Sequence, residues 1–253
     1  MNETILNISG LRKEFGGVTA VNGLDLTVEA HSITSVIGPN GAGKTTIFNL
    51  ISGFLPPTSG SIMFKECEIG GKKPFELARR GISRTFQHVQ IFPDMTVMEN
   101  IMVGRHVRSG SGFLFNALVP SFFRKEETQI RNDAGKWLEF VGLEAYAETP
   151  AGALPLGSRR MLEIARALAA EPGLLLLDEP ASGLNSRETA RLGDLIEKIK
   201  TARVTVMLVE HDMELVMDIS DRVAVINFGS LIAHGTPAEV QENPDVINAY
   251  LGE

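Results

Sequence analysis

One short run constrains this chain more than the rest of its 253 residues: Gly38-Pro39-Asn40-Gly41-Ala42-Gly43-Lys44-Thr45. It fits the pattern G-x-x-x-x-G-K-[ST], in which backbone amides fold around a phosphate. Glycines are needed because the chain must turn its N–H groups inward at dihedrals a side chain hinders. The run follows an apolar strand, Ile33-Thr34-Ser35-Val36-Ile37, and a helix is expected to start near Lys44. Such a helix aims the positive end of its dipole at the phosphate. Lys44 adds a point charge, and the Thr45 hydroxyl is of the type that ligates magnesium.

Two later runs, Leu174-Leu175-Leu176-Leu177 and Thr205-Val206-Met207-Leu208-Val209, are apolar without alternation, and each is followed by a helical pattern. A parallel sheet covered on both faces demands such runs. Strand and helix alternate at both ends of the chain, which predicts a doubly wound α/β core. The first 30 residues alternate instead, as in Leu24-Asp25-Leu26-Thr27-Val28, the pattern of half-buried antiparallel strands. From 97 to 170 no strand is evident, and 126–141 and 158–170 have helical periodicity. The expected organisation is one domain over 1–253. Within it, 1–30 with 60–70 form an antiparallel β unit, 31–87 and 171–253 the α/β core, and 88–170 an inserted helical unit. A break at 108–112 precedes Phe113, Phe115, Phe122 and Phe123; packing inside the insertion or contact with another subunit would account for them. The stretch from 235 to 250 reads as a short helical tail.

A magnesium ion at the phosphate loop calls for a carboxylate from a neighbouring strand. Asp178 and Glu179 stand directly after the run of four leucines, and ligands of open α/β sheets bind beyond the carboxyl ends of the strands. Asp178 is therefore the expected magnesium partner. Glu179, one residue on, is placed to polarise an attacking water. His211, after the strand ending at Val209, would face the terminal phosphate, where an imidazole can bond to it. Gln87 is expected to end the last strand before the insertion.

Composition excludes other classes. With Lys+Arg 24 against Asp+Glu 31 the net charge is −7, which offers no basic stripe for a nucleic-acid backbone. The single cysteine, Cys67, forbids an internal disulfide and fits a reducing compartment. No stretch approaches the roughly 18 to 20 apolar residues of a spanning helix, and the first ten residues lack the pattern of a signal peptide. A soluble protein of the cytoplasm is expected.

Together these residues resemble the ATP-binding subunit of an ABC transporter, over nearly the whole chain. The resemblance implies ATP and Mg2+ as ligands. ATP is then held by Gly38, Asn40, Gly41, Ala42, Gly43, Lys44, Thr45 and Thr46, with Phe15 stacked on adenine. Thr45, Gln87 and Asp178 hold the metal, and Glu179, His211, Gln87 and Lys44 serve catalysis. Gln87 matches the family's Q-loop and His211 its switch histidine. Leu154-Pro155-Leu156-Gly157-Ser158 aligns with the signature loop, which acts on the nucleotide of a second subunit. Ser182-Gly183-Leu184-Asn185 aligns with the D-loop. The stretch 82–100, Asn185 and the segment from Gly235 to Glu253 are similar to the branched-chain amino-acid uptake branch. Implied partners are a second ATPase subunit, identical or different, membrane permease subunits contacting 87–100, and indirectly a substrate-binding protein; no nucleic acid is implied. The implied location is peripheral, on the cytoplasmic face of the membrane. An ABC ATPase for another solute or one without a transporter is the competing reading, and a small-molecule kinase does not explain residues 154–168.

The signature departs from the family's usual L-S-G-G-Q. A serine hydroxyl and one glycine are missing, and Gly157 remains. Two unequal sites in a heterodimer would follow, with slow turnover by this chain alone.

Overall fold

β3 (Ile33–Ile37) is the strand on which the architecture turns, because all five of its residues are buried. The computed structural model describes residues 3–108 and 120–251. β7 (Leu174–Asp178) and β8 (Thr205–Val209) are buried along their whole length like β3. With β6 (Ile82–Arg84), β9 (Arg222–Asn227) and β10 (Ser230–Gly235) they form a six-stranded sheet of order β10-β9-β3-β8-β7-β6. Its pairings are parallel except for the β9–β10 edge hairpin. That hairpin is not anticipated above, although Val223-Ala224-Val225-Ile226 is as apolar as the other strands.

The second sheet has the order β2-β1-β4-β5 and is antiparallel throughout. It comprises β1 (Thr4–Phe15), β2 (Val18–Glu29), β4 (Ser59–Phe64) and β5 (Cys67–Glu68). Alternation has the expected effect: Leu24, Leu26 and Val28 point into the core while Asp25 and Thr27 face solvent. One continuous cluster joins this sheet to the first helix, α1 (Lys44–Ile51), through Leu6, Ile8, Leu26, Ile47, Phe48 and Ile51. Fully burying each such side chain is worth about 1.5–3 kcal/mol.

α2 (Pro74–Arg80) precedes β6, with Pro74 at its first turn and Gly81 closing it at φ 96°. The helical stretch between β6 and β7 contains α3 (Val97–Arg105), α4 (Pro120–Phe140) and α5 (Leu156–Leu168). Among the described residues between 97 and 170 there is no strand, only an isolated bridge between Thr96 and Pro150. Val97, Ile101, Leu138, Leu143, Leu154 and Leu162 give this stretch its own core. Residues 109–119, with Phe113 and Phe115, lie outside the described residues, as do the side chains of Phe122 and Phe123. α6 (Ser186–Thr201) and α7 (Met213–Ile219) follow β7 and β8. The chain ends in two short helices rather than one tail, α8 (Pro237–Gln241) and α9 (Pro244–Leu251).

Candidate nucleotide site

The phosphate loop lies where β3 hands over to α1, and contacts from two other strands fix its path. Gly38 is at φ 149°, and a Cβ there would come within 2.0 Å of the Ile226 carbonyl oxygen on β9. Gly43, at φ 105°, would drive a Cβ to 2.4 Å from the Ala20 oxygen on β2. These glycines are required by the neighbouring backbones as much as by a ligand. Gly41, at φ 79°, is different, since a Cβ there meets nothing within 4 Å. Its open face lies toward solvent. The Lys44 ammonium donates to the carbonyl oxygens of Gly38 (2.6 Å) and Pro39 (2.9 Å), closing the loop on itself. Burial depresses its pKa, and the Glu179 carboxylate offsets part of that shift.

The carboxyl ends of β7 and β8 bring the other expected groups together. Gln87 donates through Nε2 to Glu179 Oε2 at 2.8 Å, and His211 Nε2 lies 2.9 Å from Glu179 Oε1. Glu179 stands at φ 48°, a left-handed conformation that costs a residue with a Cβ on the order of 1–3 kcal/mol. Its N–H is held by the Val209 oxygen at 2.9 Å. One correction applies to Gln87: β6 stops at Arg84, so Gln87 sits three residues beyond the strand, in the loop that enters the helical stretch. That loop position lets its amide cross to Glu179.

Asp178 is buried and paired. Its Oδ2 accepts from Arg84 at 2.7 Å, and both side chains are 6 % exposed. The same guanidinium donates to Asn49 Oδ1 (2.8 Å) on α1 and to Ser52 Oγ (2.7 Å) just after it, and lies against the rings of Phe48, Phe54 and Phe86. Arg84 thus ties the magnesium candidate to the phosphate-loop helix. Removing one partner of such a buried pair costs about 3–5 kcal/mol. Glu210 is a second residue the sequence does not flag. It is 3 % exposed, and its Oε1 accepts from the Ala181 N–H at 2.6 Å while Oε2 accepts from the His211 N–H at 2.9 Å. A carboxylate one residue ahead of a candidate histidine was the available signal.

Phe15 ends β1 and is 45 % exposed, with the Lys13 ammonium 5.0 Å from its ring centre. Thr45 is exposed and Thr46 half-buried, and Asn40 is exposed beside Gly41.

The signature segment is elsewhere, at the start of α5. Leu154 is buried in the helical core and Pro155 is the N-cap, so helix begins at Leu156. Gly157 is buried, and a Cβ on it would come within 2.7 Å of Glu188 Oε1 on α6. Leu156 lies against Gly183 of the 182–185 segment, where an added Cβ would meet its side chain at 3.1 Å. Asn185 caps α6: its Oδ1 accepts from the N–H groups of Arg187 and Glu188, both at 3.1 Å.

Capping separates two helices from the others whose N-caps are described. α3, α6 and α8 open with capping boxes closed by Glu99, Glu188 and Glu239, and α7 is capped by Asp212. α1 and α5 have neither a side-chain cap bond nor an acidic residue in the first turn. At α1 an uncapped start without carboxylates keeps its N–H groups and dipole free for an anion; the start of α5 is likewise uncapped, with the Glu188 carboxylate of α6 beside Gly157. The fold and these ends define a phosphate-loop nucleotide-binding protein.

Comparison narrows the class. Residues 21–182 match the family model described as ABC transporter, and residues 230–253 match that of the branched-chain amino acid ATP-binding cassette transporter. The high-affinity branched-chain amino acid transport ATP-binding protein BraF of Pseudomonas aeruginosa is 48% identical over 254 residues, covering 100% of each chain. LivG of Escherichia coli K12, of the same description, is 45% identical with the same coverage. The ADP conformation of an ATP-binding cassette of an ABC transporter superposes with a TM-score of 0.86 at 33% identity, covering 99% of both chains. The chain belongs to the ABC transporter family and is one of its ATPase subunits. No helix among the described residues is long and apolar enough to cross a membrane.

Proposed function

We propose that this chain hydrolyses ATP to drive the uptake of branched-chain amino acids, as one of two cassettes docked on membrane permease subunits. The observation that carries the chemistry is the Gln87–Glu179–His211 cluster at the carboxyl ends of β7 and β8. The full-length similarity to BraF and LivG supports the solute class.

Phosphates of ATP fit the N–H groups of 40–46, with Phe15 presenting its exposed ring to the base. Thr45, Gln87 and Asp178 supply a hydroxyl, a carboxamide and a carboxylate, the all-oxygen donor set that Mg2+ takes. When bound, the ion neutralises charge building between the β- and γ-phosphates. Lys44 leaves the carbonyls of Gly38 and Pro39 for the phosphate. Glu179, held by Gln87 and His211, accepts a proton from the attacking water, and His211 holds the γ-phosphate.

The uncapped start of α5 suits the γ-phosphate of a second subunit's ATP. Closure of the two cassettes then depends on nucleotide, and moving that equilibrium from 1:99 to 99:1 takes about 5.5 kcal/mol of preference for the closed form. A groove of about 460 Å³ suits the permease. Phe54, Leu77, Ile91, Phe92 and Val103 line it, and Arg84 and Glu163 also border it. On this reading the protein works on the cytoplasmic face of the membrane without entering it.

Glu179→Gln keeps the geometry and removes the base. In ATP and Mg2+ the variant is expected to accumulate as a closed dimer on size exclusion, with hydrolysis reduced at least a hundredfold. A variant that stays monomeric and hydrolyses ATP normally would refute the assignment. The solute is tested separately, by loss of labelled leucine uptake in cells carrying the variant.

A further inference from the structure

We infer that Glu210 is a positioning residue that makes the location of His211 depend on the segment after β7. The inference deepens the ATPase reading and rests on it.

Glu210 follows β8 and points away from solvent, and its bonds run to backbone rather than to a cation. Its two oxygens are divided between two backbone segments. Oε1 takes the Ala181 N–H at 2.6 Å, and Oε2 takes the His211 N–H at 2.9 Å, with the Asp212 N–H at 3.4 Å. Ala181 immediately precedes the 182–185 segment, and His211 carries the imidazole that meets Glu179. Glu179 is already anchored across the same gap by its own N–H on the Val209 oxygen. Two ties therefore cross from β7 to β8. The backbone bond fixes Glu179, and the carboxylate fixes the distance between the 182–185 segment and His211. A displacement of that segment, which packs on Leu156 through Gly183, reaches the Glu179–His211 pair through Glu210.

A carboxylate suits this task because both of its oxygens only accept, and both segments offer only N–H donors. A glutamine amide in its place would turn a donor toward one of the two segments. Aspartate is too short to reach both.

Glu210→Gln is expected to lower kcat for ATP about tenfold while KM for ATP stays within twofold, because the phosphate loop is not involved. In nucleotide-free protein, amide hydrogen exchange at Ala181 and His211 should accelerate about tenfold together, with the Glu179 amide unchanged. A kcat within twofold of the wild type, a KM that changes as much as kcat, or equal acceleration at Glu179 would overturn the inference. Equal acceleration would mean general loosening rather than a specific tie. Should the variant not fold, NMR of the wild-type protein decides. Bonds to a carboxylate place the Ala181 and His211 amide protons downfield, and an ordinary position for either overturns the inference. If the wild type hydrolysed no ATP, the kinetic arm would be silent and the ATPase reading would fail, while the exchange and NMR arms would still judge Glu210.

Discussion

The phosphate loop and the signature segment both lead into a helix without a cap and are both tied back to their own carbonyls by a cation, yet their surroundings differ. The loop before α1 is pressed against β9 and β2 at Gly38 and Gly43, and Lys44 stitches it to its own carbonyls. The segment before α5 has Pro155 in place of a side-chain acceptor and Leu156 is 43 % exposed; it is held by Leu154 in the helical core, by Arg159, which donates to the carbonyl oxygens of Leu154 (2.8 Å) and Gly152 (2.6 Å), and by Gly157 against Glu188 on α6. One is organised by its surroundings before any ligand arrives. The other leaves Leu156 exposed, and it lacks the hydroxyl and the second glycine of the family's usual signature. An element complete in itself and one awaiting another chain would differ in this manner.

Substitutions can break that contrast. The largest effect is expected for Lys44→Ala: phosphate release should fall at least a hundredfold, about 3 kcal/mol of barrier, since no other cation is placed in the loop among the described residues. Phosphate release near wild-type level would show that the loop does not bind the transferred group. Next is Pro155→Ser with Leu156→Gly, which restores a hydroxyl and frees the helix start. Turnover by the isolated protein should rise about tenfold, within what one oriented donor supplies; unchanged turnover would show that the departure from the usual signature is silent.

The smallest effect concerns Glu163, in the third turn of α5, which accepts from the N–H groups of Gln90 (3.1 Å) and Phe86 (3.4 Å). Burial raises its pKa above the ordinary 4.5, against the pull of those bonds and of Arg160. The folded protein therefore holds this proton more tightly than the unfolded chain. Its contribution is most favourable below about 4.5 and is lost as pH rises through the folded value. Glu163→Gln should flatten the decline in stability from pH 4.5 upward, read from denaturant midpoints; an unaltered slope would mean that Glu163 is not what titrates.

Much of the site could be read from local sequence because each part is a run: an apolar strand, then its polar terminus. The phosphate loop, Asp178-Glu179 and His211 are of that kind. α2 also had its signals, Pro74 at the first turn and Gly81 after the last, as did the apolar strand at 223–226. Arg84 and Glu210 could not be read that way. Arg84 reaches Asp178 across 94 positions, and Glu210 reaches Ala181 across 29. No periodicity reports such a pairing, which exists only once the sheet order is known. Asn185 was legible as part of the D-loop resemblance, but its bonds within this chain are those of a helix cap.

The bare starts of α1 and α5 also bear on how the molecule responds to heat. A side-chain cap is worth about 1 kcal/mol, and both helices lack it while α3, α6, α7 and α8 have it. A bound phosphate supplies the missing partner for α1 and raises stability by mass action, as RT ln(1 + [L]/Kd). For α5 the missing partner is, on the two-cassette reading, a nucleotide carried by another chain. The melting temperature would then register two concentrations, that of ATP and that of the protein itself.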